Sequence, residues 1–396
     1  MLSVSDQLID QPPESLYLMI RRKSPLTAPS IMKLLTTAKI TLLCLAITPS
    51  AQAINFNFIT TGMSSQATAA LNLAGSSWST KLLDPITINI AINMTNLNDT
   101  RVIGNASSTD LYSSYSDLEN ALVFDASNEA NDGIVKYLPK ANQFRAYLPT
   151  GITDTGYLMA TKADIKALSD SMTYASFLDN QFGLYDGTIN FNSGFAFDYD
   201  ASNGITAGTM DFETVAAHEI GHILGFVSVV DDIDNMLKNK QTGAITPYLL
   251  DLFRFGTNAV PTTTAEFSTM SRDLRPGVVS YFNDLSVQVP FSTGYFTGDG
   301  NQASHWKDSS TNLWGIMDPT LAFGQISAIS SNDLRALDLI GYEVSPVQLP
   351  SIGYALTAVP LPSAMWFFCS SLLAWFGLVR RSKIVANSFA LATRRK

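Results

Sequence analysis

Cysteine and histidine are rare in this sequence. Of its 396 residues only two are cysteine, Cys44 and Cys369, and three are histidine. Both cysteines lie in apolar stretches near the chain ends, so the part between them offers no disulfide, no cysteine nucleophile and no thiolate metal ligand. Stability must come from an ordinary core, which a 46% hydrophobic composition can supply.

Basic residues are also scarce. The chain has 25 lysine and arginine residues against 34 aspartate and glutamate residues, a net charge of −9. Many of the basic residues lie in the two end regions, so the part between Ala53 and Val379 carries a net charge of about −17. Such a surface repels phosphates, which argues against nucleic acid and anionic membranes as partners. It suits a soluble extracellular protein.

Residues 1–53 are predicted to be an N-terminal extension and a signal peptide. A short basic region around residues 33–39 leads into an apolar core at 40–47, and Ala-Gln-Ala at 51–53 has the small-x-small pattern of a cleavage site. Met32 is the expected start of the signal peptide. An uncleaved anchor is the alternative, but the apolar core is short for a bilayer span of about 20 residues.

Residues 359–396 are predicted to be a sorting tail. The letters V-P-L-P at 359–362 precede an apolar run at 364–379, and a basic cluster follows. This three-part arrangement resembles the PEP-CTERM sorting signal of Gram-negative bacteria. The resemblance implies processing by an exosortase, transient inner-membrane association through 364–379, and a protein that is secreted or held at the cell surface or in the extracellular matrix. A plain C-terminal membrane anchor is the alternative.

One stretch in the middle of the chain has clear signals for both ends of a helix. Asp211 is a favourable N-cap, and Gly225 is a favourable terminator because it tolerates left-handed backbone. Apolar residues between them recur at helical spacing. The stretch therefore predicts a helix over 212–224, with Gly225 turning the chain out of it.

Two of the three histidines lie in this predicted helix. His218 and His222 are four positions apart and face the same side, with Glu219 beside the first. The H-E-x-x-H pattern places two imidazole nitrogens on one zinc ion and a carboxylate next to the water bound there. The pentapeptide also occurs by chance, but Gly225 after it and the scarcity of histidine favour a Zn2+ site.

A catalytic zinc normally has three protein ligands, and the third is not adjacent here. The compact metzincin motif would place it at Ser228, whose neutral hydroxyl is a poor zinc ligand. The first downstream glutamate is Glu266, in a threonine-rich segment, and Asp231 is a further fallback. His305 is the only histidine that remains. The residues alone leave these alternatives open.

The order of motifs is more specific than any one of them. The sequence H-E-x-x-H-x-x-G-F at 218–226, a long insertion, Ser-His ending at His305, a methionine turn at Met317 and a helix ending in D-L-x-G-Y resemble the leishmanolysin type of metzincin. The resemblance implies that the two helix histidines and His305 bind zinc, that Glu219 is the base and that Met317 lies beneath the metal. Metalloproteases with PEP-CTERM signals are similar in the same motifs. This chain is shorter than leishmanolysins and lacks their cysteines, so a shared substrate preference does not follow.

The predicted fold is α+β. Strands are expected at 86–94, with isoleucines inward, and at 187–191, expected to form the upper edge of a cleft. Residues 249–255 are expected to be a buried strand or short helix, and 333–340 a helix capped by Ser331. The resemblance implies a metzincin-like zincin with a twisted mixed sheet, an active-site helix and an irregular C-terminal subdomain.

Five segments are predicted along the chain. They are the N-terminal extension and signal peptide at 1–53, an N-terminal zincin subdomain at 54–225, a C-terminal subdomain with the third ligand and methionine turn at 226–345, a linker at 346–358 and the sorting tail at 359–396.

The predicted function is that of a secreted zinc-dependent endopeptidase acting on a protein or peptide, with Glu219 as general base toward a zinc-activated water. The main alternative is a non-catalytic extracellular matrix or adhesion protein with a structural zinc site. Glu219 argues against it, since a structural zinc closes its shell and needs no adjacent base. A third reading is zinc hydrolysis of an ester or amide in cell-wall material. Tyr342 is a candidate for oxyanion stabilisation, with core packing as its alternative.

Overall fold

The computed structural model describes residues 53–127, 129, 131–169, 172–309 and 312–345, which belong to one compact unit. The predicted signal peptide before Ala53, the linker, the sorting tail and both cysteines lie outside the described residues. Within the described ranges no helix is long and apolar enough to cross a membrane.

The fold of the described residues is α+β, as predicted. The α-helices are Ser65–Ser79 (α1), Tyr115–Asp125 (α2), Lys162–Ser169 (α3), Met172–Phe182 (α4), Phe212–Ile223 (α5), Val230–Lys238 (α6), Thr264–Thr269 (α7) and Ser331–Asp338 (α8). Short 3-10 helices lie at Val135–Tyr137, Ala201–Asn203 and Leu249–Phe253.

The strands are numbered in chain order. They are Asn55–Thr60 (β1), Thr87–Thr95 (β2), Gly104–Ser108 (β3), Asp110–Ser114 (β4), Ala146–Tyr147 (β5), Ile152–Asp154 (β6), Tyr157–Thr161 (β7), Gly187–Asn192 (β8), Phe197–Asp198 (β9), Met210–Asp211 (β10), Gly243–Ile245 (β11), Arg254–Gly256 (β12), Arg272–Asp273 (β13), Ser280–Asn283 (β14) and Gln288–Phe291 (β15).

The largest described sheet is a mixed sheet in the order β1-β2-β8-β3. The first three strands are parallel, and β3 runs antiparallel to β8. The prediction that residues 187–191 form the edge of a cleft is wrong, because β8 is hydrogen-bonded on both sides. The edge strand next to β8 is β3, whose sequence G-N-A-S-S has no apolar alternation that would predict a strand.

The sheet and the first helix are held by the residues that the sequence pattern selects. Every second residue of β2 is apolar, and Ile88, Ile90 and Ile92 are at most 1% exposed. Trp78, near the end of α1, is fully buried and donates a hydrogen bond from Nε1 to the backbone oxygen of Ala217 in α5 (2.9 Å). Helix α1 therefore packs on α5, which in turn contacts β3.

The later part of the chain builds a smaller antiparallel sheet in the order β12-β14-β15. Residues 249–255 combine both predicted states, since a 3-10 helix at Leu249–Phe253 leads directly into β12. Near the end of the described residues, Val344 forms a β-bridge with Leu82, which precedes β2. One hydrophobic core contains residues from Ile54 to Val344. The division between 54–225 and 226–345 stays a prediction.

Helix α8 begins at Ser331, two residues earlier than predicted, so its cap lies one residue before the predicted cap. The cap is Ser330, not Ser331, because the Ser330 hydroxyl accepts hydrogen bonds from the backbone N–H groups of Asn332 and Asp333 (3.1 and 3.3 Å). Asp333 reciprocates by accepting from the backbone N–H of Ser330 (2.7 Å). Both adjacent serines have a side chain that can cap a helix. Ser330 is the cap because it lies three positions before Asp333, whose carboxylate bonds back to it.

Candidate metal centre

Helix α5 begins at the predicted residue, Phe212, and ends at Ile223, one residue before the predicted end. Asp211 is its N-cap and accepts a hydrogen bond from the backbone N–H of Thr214 (3.0 Å). Gly225 follows the C-cap with φ of 101°, a left-handed conformation that favours glycine. A β-carbon there would lie 2.2 Å from Oδ1 of Asp164. Gly225 is therefore required by both its backbone conformation and the carboxyl packed against it.

The structure brings together the three histidines of the chain. The Nε2 atoms of His218 and His222 are 3.2 Å apart, those of His218 and His305 are 3.1 Å apart, and those of His222 and His305 are 3.2 Å apart. Two of these rings come from consecutive turns of α5, and the third comes from a loop 83 residues further along the chain. Three ring nitrogens therefore converge on one point.

Each ring is oriented by a backbone carbonyl on its other nitrogen. Nδ1 of His218 donates to the oxygen of Ile316 (2.7 Å), Nδ1 of His222 to Phe226 (2.8 Å) and Nδ1 of His305 to Gln302 (3.2 Å). A carbonyl oxygen can only accept, so Nδ1 carries the proton in all three rings. In the neutral rings the three Nε2 lone pairs then face one another without a proton between them, an arrangement that a cation stabilises.

The spacing of these nitrogens suits zinc. Zinc binds histidine nitrogen at about 2.0–2.1 Å, and a tetrahedral arrangement then separates neighbouring nitrogens by about 3.3 Å. The separations of 3.1 to 3.2 Å are close to that value. Among the described histidine, cysteine, aspartate and glutamate residues, only these three supply donor atoms to this group. The residues present therefore fit a three-histidine zinc site with one position left for another ligand.

Burial keeps the three rings neutral. Removal from water lowers the pKa of His222 to about 3, with the neighbouring His218 as a smaller cause. The pKa values of His218 and His305 are also lowered, mainly by burial. Neutral imidazole is the form that binds a metal ion. The three rings are thus held ready for a cation without first having to lose protons.

Glu219 lies between α5 and the edge strand. Its side chain is 6% exposed, and burial raises its pKa to about 8. A β-carbon on Gly104, the first residue of β3, would lie 2.8 Å from Oε1 of Glu219. The carboxyl group of Glu219 therefore occupies the space that a side chain at position 104 would fill. In sequence Glu219 directly follows His218.

Met317 lies directly against the helix between its two histidines. It is fully buried, and a β-carbon on Gly221 would lie 2.3 Å from its sulfur. The backbone oxygen of Met317 accepts a hydrogen bond from the N–H of Trp306 (3.0 Å), the residue after His305. Met317 thus contacts the helix turn that carries two of the histidines and the segment that carries the third.

Replacing Gly221 with alanine should lower the free energy of unfolding by about 1–3 kcal/mol, because the added methyl overpacks against Met317. Helix propensity alone predicts the opposite, a gain of about 1 kcal/mol. Urea unfolding of the metal-free protein measures the difference. Gly75→Ala in α1 is the matched control, since its nearest neighbour is the ring edge of half-buried Phe58 at 3.0 Å, which can turn away. A Gly221→Ala variant as stable as the wild type would contradict this close packing.

The other candidates for a third ligand have different roles. The hydroxyl of Ser228 donates to Oδ1 of Asp251 (2.6 Å). Glu266 is half-buried and caps α7 by accepting from the N–H groups of Thr262 and Thr263 (2.8 and 3.1 Å). Asp231 accepts its hydrogen bonds from the segment before His305. None of the three belongs to the histidine group.

Asp333 supports the site and was not singled out from the sequence. It is fully buried, and its carboxylate accepts hydrogen bonds from the indole N–H of Trp306 (2.8 Å) and the backbone N–H groups of Ile316 (2.8 Å) and Met317 (3.2 Å). Ile316 supplies the carbonyl that orients His218. One carboxylate thus ties the residue after His305 to the methionine turn. Its sequence signal was only that of a residue in the first turn of a helix.

Tyr342 and a group of three acidic residues lie outside the histidine group. Tyr342 is fully buried in the main hydrophobic core, so it packs there instead of facing a substrate. A second group, Asp125, Glu129 and Asp132, could also hold a cation by spacing. Asp132 is already paired with Arg335 (3.3 Å).

Comparisons with known proteins give no match: no family model, no curated protein and no solved structure is significantly similar to this chain.

Proposed function

We propose that the chain is a zinc-dependent endopeptidase with a metzincin-like zincin fold. The observation that carries the proposal is the convergence of His218, His222 and His305 within 3.2 Å of one another, with Glu219 buried beside them on the same helix. A structural zinc site would need a fourth protein donor, and the described residues supply three to this group. The open position suits a water molecule and then a substrate.

The chain's own residues divide the chemistry between them. A bound zinc acts as a Lewis acid that lowers the pKa of water and polarises a carbonyl. The histidines hold that ion in a fixed place, because each ring is anchored through Nδ1. Glu219, ionised once a bound cation offsets the burial that raises its pKa, accepts the proton of the attacking water and passes it to the leaving amine. Gly104 leaves room for the Glu219 carboxylate against β3.

The free edge of β3 is suited to hold a peptide. In an antiparallel pair, alternate residues turn their backbone N–H and C=O groups toward the partner strand. Here the backbone of Ile103 bonds to β8, and the backbone of Thr109 bonds to the residue just before β8. By that alternation the backbone groups of Gly104, Ala106 and Ser108 point away from β8, toward an edge that no described strand occupies. An extended peptide could pair there beside Glu219. This edge favours a polypeptide over a compact ester or amide of cell-wall material.

The location of the enzyme follows from its two end segments, and we propose it with the function. The segments at 1–53 and 359–396 suit export and exosortase processing in a Gram-negative bacterium, with 364–379 transiently in the inner membrane. A substrate would then be a protein or peptide outside the cell, and nucleic acid is not expected as a partner.

Zinc removal tests the proposed function. The protein should contain one zinc per chain, hydrolyse casein, lose both properties with 1,10-phenanthroline and regain them when zinc is returned. The free energy of unfolding should rise by about 2.7 kcal/mol when free zinc is 100 times its dissociation constant. Stoichiometric zinc without hydrolysis of casein or of any member of a peptide library would instead favour the matrix or adhesion protein with a structural site.

A further inference from the structure

The third histidine comes from a segment that is held by side chains of α6, the helix that follows α5. Asp231 is in the first turn of α6 and half-buried. Its Oδ1 accepts from the backbone N–H of Ala303 (2.5 Å), and its Oδ2 accepts from the N–H and the hydroxyl of Ser304 (3.0 and 2.5 Å). Three hydrogen bonds from one carboxylate thus fix the two residues that precede His305.

The Ser304 hydroxyl extends this contact to the segment that leaves α5. It accepts from the backbone N–H of Ser228 (2.9 Å) while it donates to Asp231. The hydroxyl of Ser228 in turn donates to Asp251, which also accepts from the N–H of Val229 (2.6 and 3.0 Å). The exit from the helix of His218 and His222 and the approach to His305 are therefore joined through one chain of hydrogen bonds.

The other side of the same segment is held by a cation. Arg254 is 1% exposed and donates from Nη2 to the backbone oxygen of Ala303 (2.5 Å). Ala303 is also fully buried in a small apolar cluster with Val230 and Ile233 of α6. The peptide groups before His305 are thus fixed at both N–H and C=O ends.

From this arrangement we propose that Asp231 is a positioning residue for the metal site: its carboxylate sets the place of His305 and thereby the affinity for zinc. The inference rests on the proposed zinc site. Metal–ligand distances must hold within about 0.2 Å, and a backbone shift at Ser304 moves the adjacent ring directly. The long insertion has no disulfide to fix its end, since neither cysteine of the chain lies within it. A charged acceptor from the neighbouring helix supplies that constraint.

The same helix provides a matched control. Asp234 is 1% exposed and accepts from the backbone N–H groups of Phe296 and Thr297 and from the Thr297 hydroxyl (2.6, 2.9 and 2.5 Å). This is the same pattern of two consecutive N–H groups and one hydroxyl, one helical turn further on. It ends eight residues before His305, so it can stabilise the fold without setting the place of the ring.

The test compares Asp231→Asn with Asp234→Asn in the full-length protein. An asparagine turns an NH2 group toward at least one N–H or hydroxyl donor, so both variants should lose stability in the metal-free state. Zinc affinity, measured by competition with a chromophoric chelator, should weaken about 10- to 100-fold in Asp231→Asn and by less than about twofold in Asp234→Asn. Equal zinc affinity in Asp231→Asn and wild type, or equal loss in the two variants, overturns the positioning role.

Two further variants keep the test decisive. If Asp231→Asn does not fold, Ser304→Ala removes the hydroxyl but keeps both N–H groups, and zinc should bind about 3- to 10-fold more weakly; unchanged affinity overturns the proposal. In a His305→Ala background, Asp231→Asn should cause no further loss of zinc affinity, because the ligand it positions is gone. The readout needs no catalysis. Zinc binding without casein hydrolysis would sink the proposed function alone, whereas unchanged affinity in the Asp231 variant would sink this inference alone.

Discussion

Replacing Glu219 with glutamine should lower kcat for peptide hydrolysis by about 10²- to 10⁴-fold, with zinc still bound at one per chain. Glutamine has nearly the shape of glutamate, so it fits the space beside Gly104, but it cannot accept the proton of the attacking water. The three histidine nitrogens and the carbonyls that orient them are untouched. Steady-state kinetics on a quenched-fluorescence peptide measure the loss, and metal analysis of the same sample shows whether zinc remains.

Glu213→Gln is the matched control for this variant. Glu213 is in the first turn of the same helix and accepts a hydrogen bond from the hydroxyl of Ser77 (3.1 Å), away from the histidines. Its kcat should stay within about twofold of wild type, because the residue has no part in the reaction. A Glu219→Gln variant with more than about a tenth of wild-type kcat would remove Glu219 from the role of general base.

Replacing His305 with alanine should weaken zinc binding by well over 100-fold and abolish hydrolysis. Loss of a residue that only supports a ligand costs about 10- to 100-fold, and loss of one ligand of three must exceed that. Two histidines of one helix would remain, and no other described histidine, cysteine, aspartate or glutamate supplies a donor to the group. Equilibrium dialysis against buffered zinc gives the dissociation constant.

Gln302→Ala is the control for His305→Ala. The Gln302 side chain is exposed, and its backbone oxygen, which orients His305 at 3.2 Å, is kept by the substitution. Zinc affinity should therefore equal that of wild type. If His305→Ala kept wild-type affinity, the metal would have to be held by other residues, and the three-histidine account of the site would be wrong.

Local signals in the sequence account for the helix at the centre of the site. Asp211 and Gly225 mark its ends because capping and left-handed backbone depend on a few neighbouring residues. The spacing of His218 and His222 likewise depends only on helix geometry. In the structure the helix is Phe212–Ile223, one residue shorter than predicted. What the spacing implies for metal binding stays a proposal.

Features that depend on contacts between distant parts of the chain cannot be predicted from such local signals. Strand β3 has a polar sequence, and only its pairing with β8 makes it the sheet edge. In the sequence Asp333 is an acidic residue at the start of a predicted helix, where solvated carboxylates are common, and Asp231 is only a fallback candidate for the third zinc ligand. The hydrogen-bond partners of Asp231 are 72 and 73 positions away in sequence, and those of Asp333 are up to 27 positions away. A single sequence without such pairings cannot show which acidic residues hold a site.

His305 stands between these two cases. As the only histidine outside the helix it was one of several candidates, and the resemblance to leishmanolysin-type metzincins implied its choice. The structure places its Nε2 within 3.2 Å of both other histidines through contacts of Ser304, Asp231 and Trp306 with distant residues. The resemblance therefore implied the residue, but the contacts that bring His305 to the helix depend on the packing of distant parts of the chain.

The coordination of zinc in the resting protein tests the central claim most directly. X-ray absorption at the zinc edge, recorded on protein loaded with one zinc per chain, should show three imidazole nitrogens at about 2.0–2.1 Å and one further light ligand from water. His305→Ala should reduce the imidazole count from three to two. A wild-type spectrum with only two imidazoles, or with four protein ligands and no place for water, would contradict a catalytic site built from His218, His222 and His305.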